Sequence, residues 1–260
     1  MGRHVKREEQ IAALSYSCCN KFLGSCGLAT TTFEPLVIPA KAYKAYLFDL
    51  DGTLLDSDPL HAAVFVDFLN TRGVDFGLED YATRIHGRQN VEVFGELLPF
   101  EDARALDRAK EAAYRARLGS DLTATPGLTD LLDRARAEGL KCALVTNACR
   151  ENVDAVLDAL GLEDAFDTQS LGDDCPQGKP HPDPYFRALA ALGVAAEEAI
   201  AFEDSPAGIA AATTAGIPTV GIATGLSPDR LLGLGATLAI ADFTDPRLAA
   251  LIAEPQGATP

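Results

Sequence analysis

The sequence contains no apolar run long enough to cross a bilayer. Asp, Lys, Gly or Pro breaks its longest candidates within about ten positions, where a spanning helix needs roughly 20 apolar residues. A transmembrane reading therefore fails. Positive charge is also scarce: 22 Lys and Arg stand against 38 Asp and Glu, for a formal net charge of -16, and no Lys/Arg-rich stripe overrides that field locally. Such a chain repels a polyphosphate backbone, which argues against nucleic acid as a partner. The six cysteines (Cys18, Cys19, Cys26, Cys142, Cys149 and Cys175) include no CxxC pair and no histidine at zinc-ligand spacing. Free thiols in a reducing, cytoplasmic compartment are expected, not a disulfide framework or structural zinc. Neither GxxxxGK[ST] nor GxGxxG occurs, which argues against nucleotide-driven kinases and dinucleotide enzymes. Internal repeats and low-complexity tracts are missing as well.

What is present suits a soluble globular protein. The 260 residues, 47% of them hydrophobic, supply a core for one large domain or two small ones. Residues 1–42 stand apart, with five Lys/Arg against three Asp/Glu, half of the cysteines and a Ser/Thr-bearing stretch. They read as a disordered or loosely packed extension, or as an organelle import segment. From Tyr43 onward short apolar runs alternate with helical stretches, the pattern of βα units around a parallel sheet. Residues 45–48, 142–145, 199–202 and 219–222 lack polar alternation and read as buried strands. Thr125 with Pro126, Asn147, and Ser205 with Pro206 read as helix openings, closed by Gly139, Gly161 and Gly216.

Residues 59–122 break this rhythm. They predict several helices and no strand, ending in a long exposed helix over 101–118 rich in Ala, Leu and Arg. The expected fold is α/β: a Rossmann-like parallel-sheet core (43–58 and 123–254) with an inserted all-helical cap (59–122), followed by a short tail (255–260).

The chemistry concentrates at predicted strand ends, where open parallel sheets bind ligands. Phe48-Asp49-Leu50-Asp51-Gly52-Thr53 begins where the first apolar run stops. Thr146-Asn147 follows the second, and Glu203-Asp204-Ser205 follows a later one. Lys179-Pro180 precedes a helix opened by Asp183 and Pro184. Each has a bland reading alone: an Asp-Gly turn, a helix cap, a polar loop, a surface lysine. All four together, in this order, are hard to produce by chance. Carboxylates about 4 Å apart repel by roughly 4 kcal/mol at an effective dielectric of 20, so Asp49 and Asp204 need a cation or a proton between them. An all-oxygen site favours Mg2+ over zinc.

These four motifs make the sequence resemble the haloacid dehalogenase-like hydrolase superfamily over about residues 44–250. The longer strings Asp56-Ser57-Asp58-Pro59-Leu60-His61, Gly178-Lys179-Pro180-His181-Pro182-Asp183-Pro184 and Phe202-Glu203-Asp204-Ser205-Pro206-Ala207-Gly208 are similar to the branch of beta-phosphoglucomutase, phosphoglycolate phosphatase and plant sugar and glycerol phosphatases. The resemblance implies Asp49 as nucleophile and Asp51 as general acid and base. It implies Thr146 and Lys179 as holders of the phosphoryl oxygens, with Asn147 beside the substrate. Mg2+ would take the Asp49 and Asp204 carboxylates and the Asp51 carbonyl, with Glu203 in or just behind that set.

Within the cap the resemblance points to His61, to the loop His86-Gly87-Arg88-Gln89-Asn90, and to Lys110. A mutase must grip a second phosphate, and its cap arginine falls at Asn90 here, so Arg88 or Lys110 would have to compensate. An uncharged position there, with Asp51 retained, favours a phosphatase acting on a small phosphorylated metabolite, a sugar or glycerol phosphate. The rivals are a hexose-phosphate mutase and a non-catalytic binding protein on the same fold. A monomer or a weak homodimer is expected.

Overall fold

The computed structural model describes residues 43–85, 88–119 and 122–253. The expected N-terminal extension, the 255–260 tail, and His86 and Gly87 of the cap loop lie outside the described residues. Six strands form one parallel sheet: β1 (Ala45–Phe48), β2 (Lys141–Thr146), β3 (Thr168–Leu171), β4 (Ala199–Glu203), β5 (Thr219–Ile222) and β6 (Leu238–Ile240). Their order is β3-β2-β1-β4-β5-β6. β1 pairs with both β2 and β4, so the strand order reverses beside it. The carboxyl ends at such a switch point open a crevice.

The four continuous apolar runs form strands as expected, and the sheet adds two that were not predicted. β3 is a partly exposed edge strand whose Thr168 and Gln169 hide the signal, and β6 has only three residues. Alternation along the strands gives the sheet two different faces. Tyr46, Phe48, Ile200 and Phe202 point to one side, against α4 (Leu128–Ala137), α5 (Arg150–Leu160) and α9 (Pro246–Ile252). There the Phe48 and Phe202 rings stack at 4.8 Å. Ala45, Leu47, Ala143, Ala199 and Ala201 point to the other side. That small-residue face receives α6 (Asp183–Leu192) and α7 (Pro206–Thr214), which bring Ala188, Ala211, Ala212 and Tyr185 into contact with it. The remaining core helix, α8 (Pro228–Gly233), packs along β5 and β6.

Between β1 and α4 the chain is helical: α1 (Asp58–Asn70), a one-turn helix (Leu78–Asp80) running into a π-helical turn (Tyr81–Ile85), α2 (Asn90–Leu97) and α3 (Ala103–Arg115). Phe65, Phe68, Tyr81, Val93, Phe94 and Leu106 give this insertion its own apolar cluster. The final helix is shorter and less exposed than expected. α3 buries Leu106, Lys110 and Tyr114 at helical spacing, so its polar composition conceals an inward stripe.

Ser205 caps α7 as read, accepting from the Gly208 N–H with Pro206 in the first turn. Two other expected openings are corrected. α4 begins at Leu128 behind Gly127, and Thr125 instead donates its hydroxyl to the Thr53 carbonyl at 2.7 Å and its N–H to Leu54. Those bonds fasten the segment that leads into α4 to the loop that follows β1. α5 begins at Arg150 behind Cys149, which frees Asn147 for a different task. Cys142, Cys149 and Cys175 are free thiols. Among the described residues, no helix is long and apolar enough to cross a membrane.

Candidate active site

Asp49 is the first residue past β1, and its N–H continues the ladder onto the Phe202 carbonyl at 3.0 Å. Glu203 ends the neighbouring β4 and Asp204 follows it. Parallel pairing at this register therefore delivers three carboxylates to one rim. Oxygens from Asp49, Glu203 and Asp204 all lie within 4.8 Å of one another. The loop after Asp49 turns at Gly52, where φ is +77° and a Cβ would sit 2.1 Å from the Asp204 Oδ2. Only glycine satisfies both the left-handed backbone and that close approach.

Lys179 holds this charge together. Its buried ammonium donates to Asp49 Oδ1 at 2.6 Å, to Glu203 Oε1 at 2.5 Å and to the Val145 carbonyl at 2.6 Å. Burial opposes its charge, but Asp49 and Glu203 more than offset this and raise its pKa. Lys179 is thus cationic at any working pH. Glu203 is fully buried; its Oε1 also accepts from the Tyr185 hydroxyl at 2.7 Å, and its Oε2 lies 3.4 Å from the Ser205 hydroxyl.

Asn147 is where the structure departs most from the expectation. It lines the cavity, yet its side chain clamps the Lys179 main chain: Oδ1 accepts the Lys179 N–H and Nδ2 donates to the Lys179 carbonyl, both at 2.9 Å. It positions the lysine. A Cβ at Gly172 or Gly178 would lie 2.5 or 2.8 Å from the same Oδ1, so the clamp requires the absence of a side chain at both positions. Thr146 ends β2, buried, with its hydroxyl accepting from the Ala148 N–H at 3.0 Å.

Electrostatics divide the acids. Burial, opposed by Lys179 and reinforced by Glu203, pushes Asp49 up to about 7. Burial and the charges of Asp49 and Glu203 push Asp204 well above the ordinary carboxylate range. Burial works the same way on Asp51, but His61, Ser57 and Lys110 beside it prevail and hold it below that range. Asp204 Oδ1 and Asp51 Oδ1 are buried without a hydrogen-bond partner. The orphaned Asp204 oxygen, beside the carboxylates of Asp49 and Glu203, belongs to a donor set that suits a hard divalent cation, which takes oxygen ligands. The residues present fit such an ion.

The insertion completes the cavity, about 280 Å³ in volume, whose lining includes Asp49, Asp51, Thr146, Lys179 and Asp204 on the sheet side and His61, Arg88, Asn90 and Lys110 opposite. His61 Nε2 stands 3.6 Å from Asp51 Oδ1, beyond hydrogen bonding but within strong Coulomb reach. Its other nitrogen meets Lys110 Nζ at 2.6 Å, and its ring stacks on Tyr114 at 3.9 Å. Lys110 continues to Glu111 at 2.9 Å, and Glu111 reaches Asn152 of α5 at 2.6 Å. Lys110 is therefore no solvated surface charge; it is 1% exposed. Arg88 is exposed and bonds Glu96 at 3.0 Å.

Sequence reasoning missed Tyr185, Glu111 and Asn152. Tyr185 directly follows the Asp183-Pro184 pair and was within reach of that motif. Glu111 and Asn152 carry no local signal, because only the packing of α3 on α5 brings them together.

Comparison with known proteins gives the family. The profile described as haloacid dehalogenase-like hydrolase matches residues 46–222. Protein CbbY of Rhodobacter capsulatus is 37% identical over 190 residues, covering 68% of this chain and 84% of that protein. A phosphorylated carbohydrates phosphatase of Thermotoga maritima is 31% identical, covering 68% and 83%. Among solved structures, a variant of CbbY from Rhodobacter sphaeroides in complex with xylulose-(1,5)bisphosphate superposes with a TM-score of 0.71 at 28% identity, over 81% of this chain and all of that one. The fold and the named relatives are those of a phosphoric monoester hydrolase. The chain belongs to the haloacid dehalogenase-like hydrolase family, in the branch of phosphoglycolate phosphatase and beta-phosphoglucomutase.

The Asn147 clamp yields a direct expectation. Asn147→Ala removes both bonds to the Lys179 main chain, but Asn147 itself is exposed and water can reach the freed groups, so the cost is about 0.5 to 1.5 kcal/mol in stability. Misaiming the ammonium lowers kcat/KM by about tenfold to a hundredfold. Urea denaturation and phosphate release measure the two; a fully active variant contradicts the positioning role.

Proposed function

We propose that the protein is a Mg2+-dependent phosphatase that hydrolyses small phosphate monoesters, sugar or glycerol phosphates, through an aspartyl-phosphate on Asp49. The observation that carries this reading is the convergence of Asp49, Asp51, Lys179 and Asp204 on one cavity at the sheet's switch point. Phosphate monoester hydrolysis calls for accelerations up to about 10²¹-fold, roughly 29 kcal/mol of barrier, which no single group supplies.

The work divides among the residues. Lys179 holds one carboxylate oxygen of Asp49, and the other attacks phosphorus as the bond to the leaving alkoxide breaks. Asp51 gives that alkoxide its proton. A bound phosphate dianion raises the Asp51 pKa in this half of the reaction, countering the influence of His61 and Lys110. Once the alcohol leaves, the low intrinsic pKa of Asp51 suits the opposite role: it takes a proton from water, which attacks phosphorus and cleaves the Asp49–phosphoryl bond. Lys179 and the Thr146 hydroxyl, with nearby backbone N–H groups, stabilise the charge that spreads over the phosphoryl oxygens. Mg2+ held by Asp49, Asp204 and the Asp51 carbonyl, with Glu203 behind them, would neutralise the substrate dianion in this acidic rim. Names of relatives such as the Thermotoga maritima phosphatase support a phosphorylated carbohydrate as the substrate class.

Phosphate release from a panel of three- to six-carbon monoesters with Mg2+ tests the reading. Turnover is expected for wild type, with a loss of at least about a thousandfold in Asp49→Asn and about 10²- to 10⁴-fold in Asp51→Asn. Retained turnover in Asp49→Asn ends the proposal.

The metal is tested without activity. Asp49, at about 7, and the raised Asp204 must lose protons before they ligate a cation. In the metal-free protein their raised values stabilise the fold at low pH, and this contribution is lost as pH rises through about 7. Mg2+ affinity, read from Tm shifts or calorimetry, should therefore increase from about pH 6 to about pH 8, and Asp204→Asn should flatten that rise. Affinity independent of pH contradicts this ligand set.

A further inference from the structure

One amide of the core stands between two charges of the cap. Glu111 and Arg115 lie one turn apart on α3, the spacing at which opposite charges pair with each other. Asn152 of α5 engages both: its Nδ2 donates to Glu111 Oε2 at 2.6 Å, and its Oδ1 accepts from Arg115 Nη1 at 2.6 Å. A carboxylate takes donors and a guanidinium takes acceptors, so only one orientation of the amide serves the two. Asn152 is 5% exposed and stands outside the cavity lining, so its side chain meets these charges and not the substrate.

From Glu111 the contacts run to the reaction centre. Its Oε1 accepts from Asn90 Nδ2 at 2.6 Å and from Lys110 Nζ at 2.9 Å, while Oε2 takes the bond from Asn152. Burial works to raise the Glu111 pKa, but Lys110 and Asn152 hold it below the ordinary range, so an ionised carboxylate faces Lys110 at neutral pH. An ammonium donates and does not accept, so at 2.6 Å from Lys110 Nζ the His61 Nδ1 is the acceptor, and the proton of the ring sits on Nε2. Nε2 is the atom 3.6 Å from Asp51 Oδ1. The carboxylate that must give and take protons therefore faces an N–H whose placement is traced back, contact by contact, to the core helix α5.

We infer that Asn152 is a positioning residue for Asp51: by dividing Glu111 from Arg115 it keeps Glu111 on Lys110, Lys110 on His61 Nδ1, and the His61 Nε2–H directed at the Asp51 carboxylate as that group protonates the leaving alkoxide. This rests on the phosphatase reading and adds to it a residue remote from the substrate. Without Asn152, Glu111 closes on Arg115, Lys110 loses its carboxylate, and Asp51 loses the N–H that orients it, whereas the Asp49–Lys179 pair is untouched.

Leaving-group dependence separates this role from plain packing. An alcohol needs the proton of Asp51 to depart, whereas acetate leaves acetyl phosphate without one. The test compares kcat/KM for the best alkyl monoester with that for acetyl phosphate on the same protein, so that any loss of folded enzyme cancels in the ratio. In Asn152→Ala, and in Asn152→Leu, which fills the space, the ratio of ester to acetyl phosphate should fall about tenfold, part of the roughly 10²- to 10⁴-fold that general acid catalysis supplies. Added to Asp51→Asn, either substitution should move the ratio no further. An unchanged ratio in the single variants, or a further fall in the combined ones, overturns the inference. A crystal structure of Asn152→Ala reads the same relay without turnover: Glu111 turned onto Arg115 with Lys110 drawn off His61 supports it, and side chains left in place overturn it. If the wild type hydrolyses no ester, the phosphatase reading falls and that crystal structure alone decides the inference.

Discussion

The ammonium of Lys179, bridging the carboxylates of Asp49 and Glu203, is the interaction on which the rest of the site depends. Three acids within 4.8 Å of one another at the rim of an apolar sheet would not stay ionised unaided. One buried cation neutralises part of that charge and leaves the remainder, centred on Asp204, as a cluster that a divalent ion would fit. Removing one member of a buried pair strands the other, at a cost of about 3 to 5 kcal/mol. That is why so much structure converges on one lysine: two bonds from Asn147, one to the Val145 carbonyl, and Tyr185 on the far side of Glu203.

The fold supplies the geometry cheaply because β1 and β4 are neighbours with parallel register, so residues just past each strand meet without a special loop. The asymmetry of the two sheet faces serves the same end. Alanines on one face let α6 and α7 approach closely, which brings Tyr185 and the first turn of α7 against Glu203. A Cβ at Gly208 would lie 1.8 Å from Glu203 Oε2, so that helix can hardly come closer. The bulky face instead carries the stacked aromatics that fix the strands.

Much of this was legible in the sequence because the decisive signals are local. A continuous apolar run ending in Asp-Leu-Asp-Gly-Thr announces a buried strand, a turn and paired acids within ten residues. The Ser205-Pro206 cap is equally local. What escaped depends on tertiary packing. Asn147 looked like a helix cap because Asn often is one, and only the distant Lys179 loop gives it a better partner. Lys110 falls in a helix whose Ala, Leu and Arg content reads as exposed; its burial follows from His61, Phe65 and Tyr114, which lie around it in space. Edge strand β3 escaped because a half-exposed strand carries polar residues that mask its alternation.

Covalent phosphorylation of Asp49, steadied by Lys179, is the step on which the proposed mechanism turns. Rapid acid quench during turnover of an active phosphate ester, followed by proteolysis and mass spectrometry, tests it most directly. A phosphoryl group is expected on the peptide that carries Asp49, appearing before free phosphate and decaying as phosphate accumulates. A phosphoryl group on another residue, or turnover through which no protein-bound phosphoryl group ever forms, contradicts it.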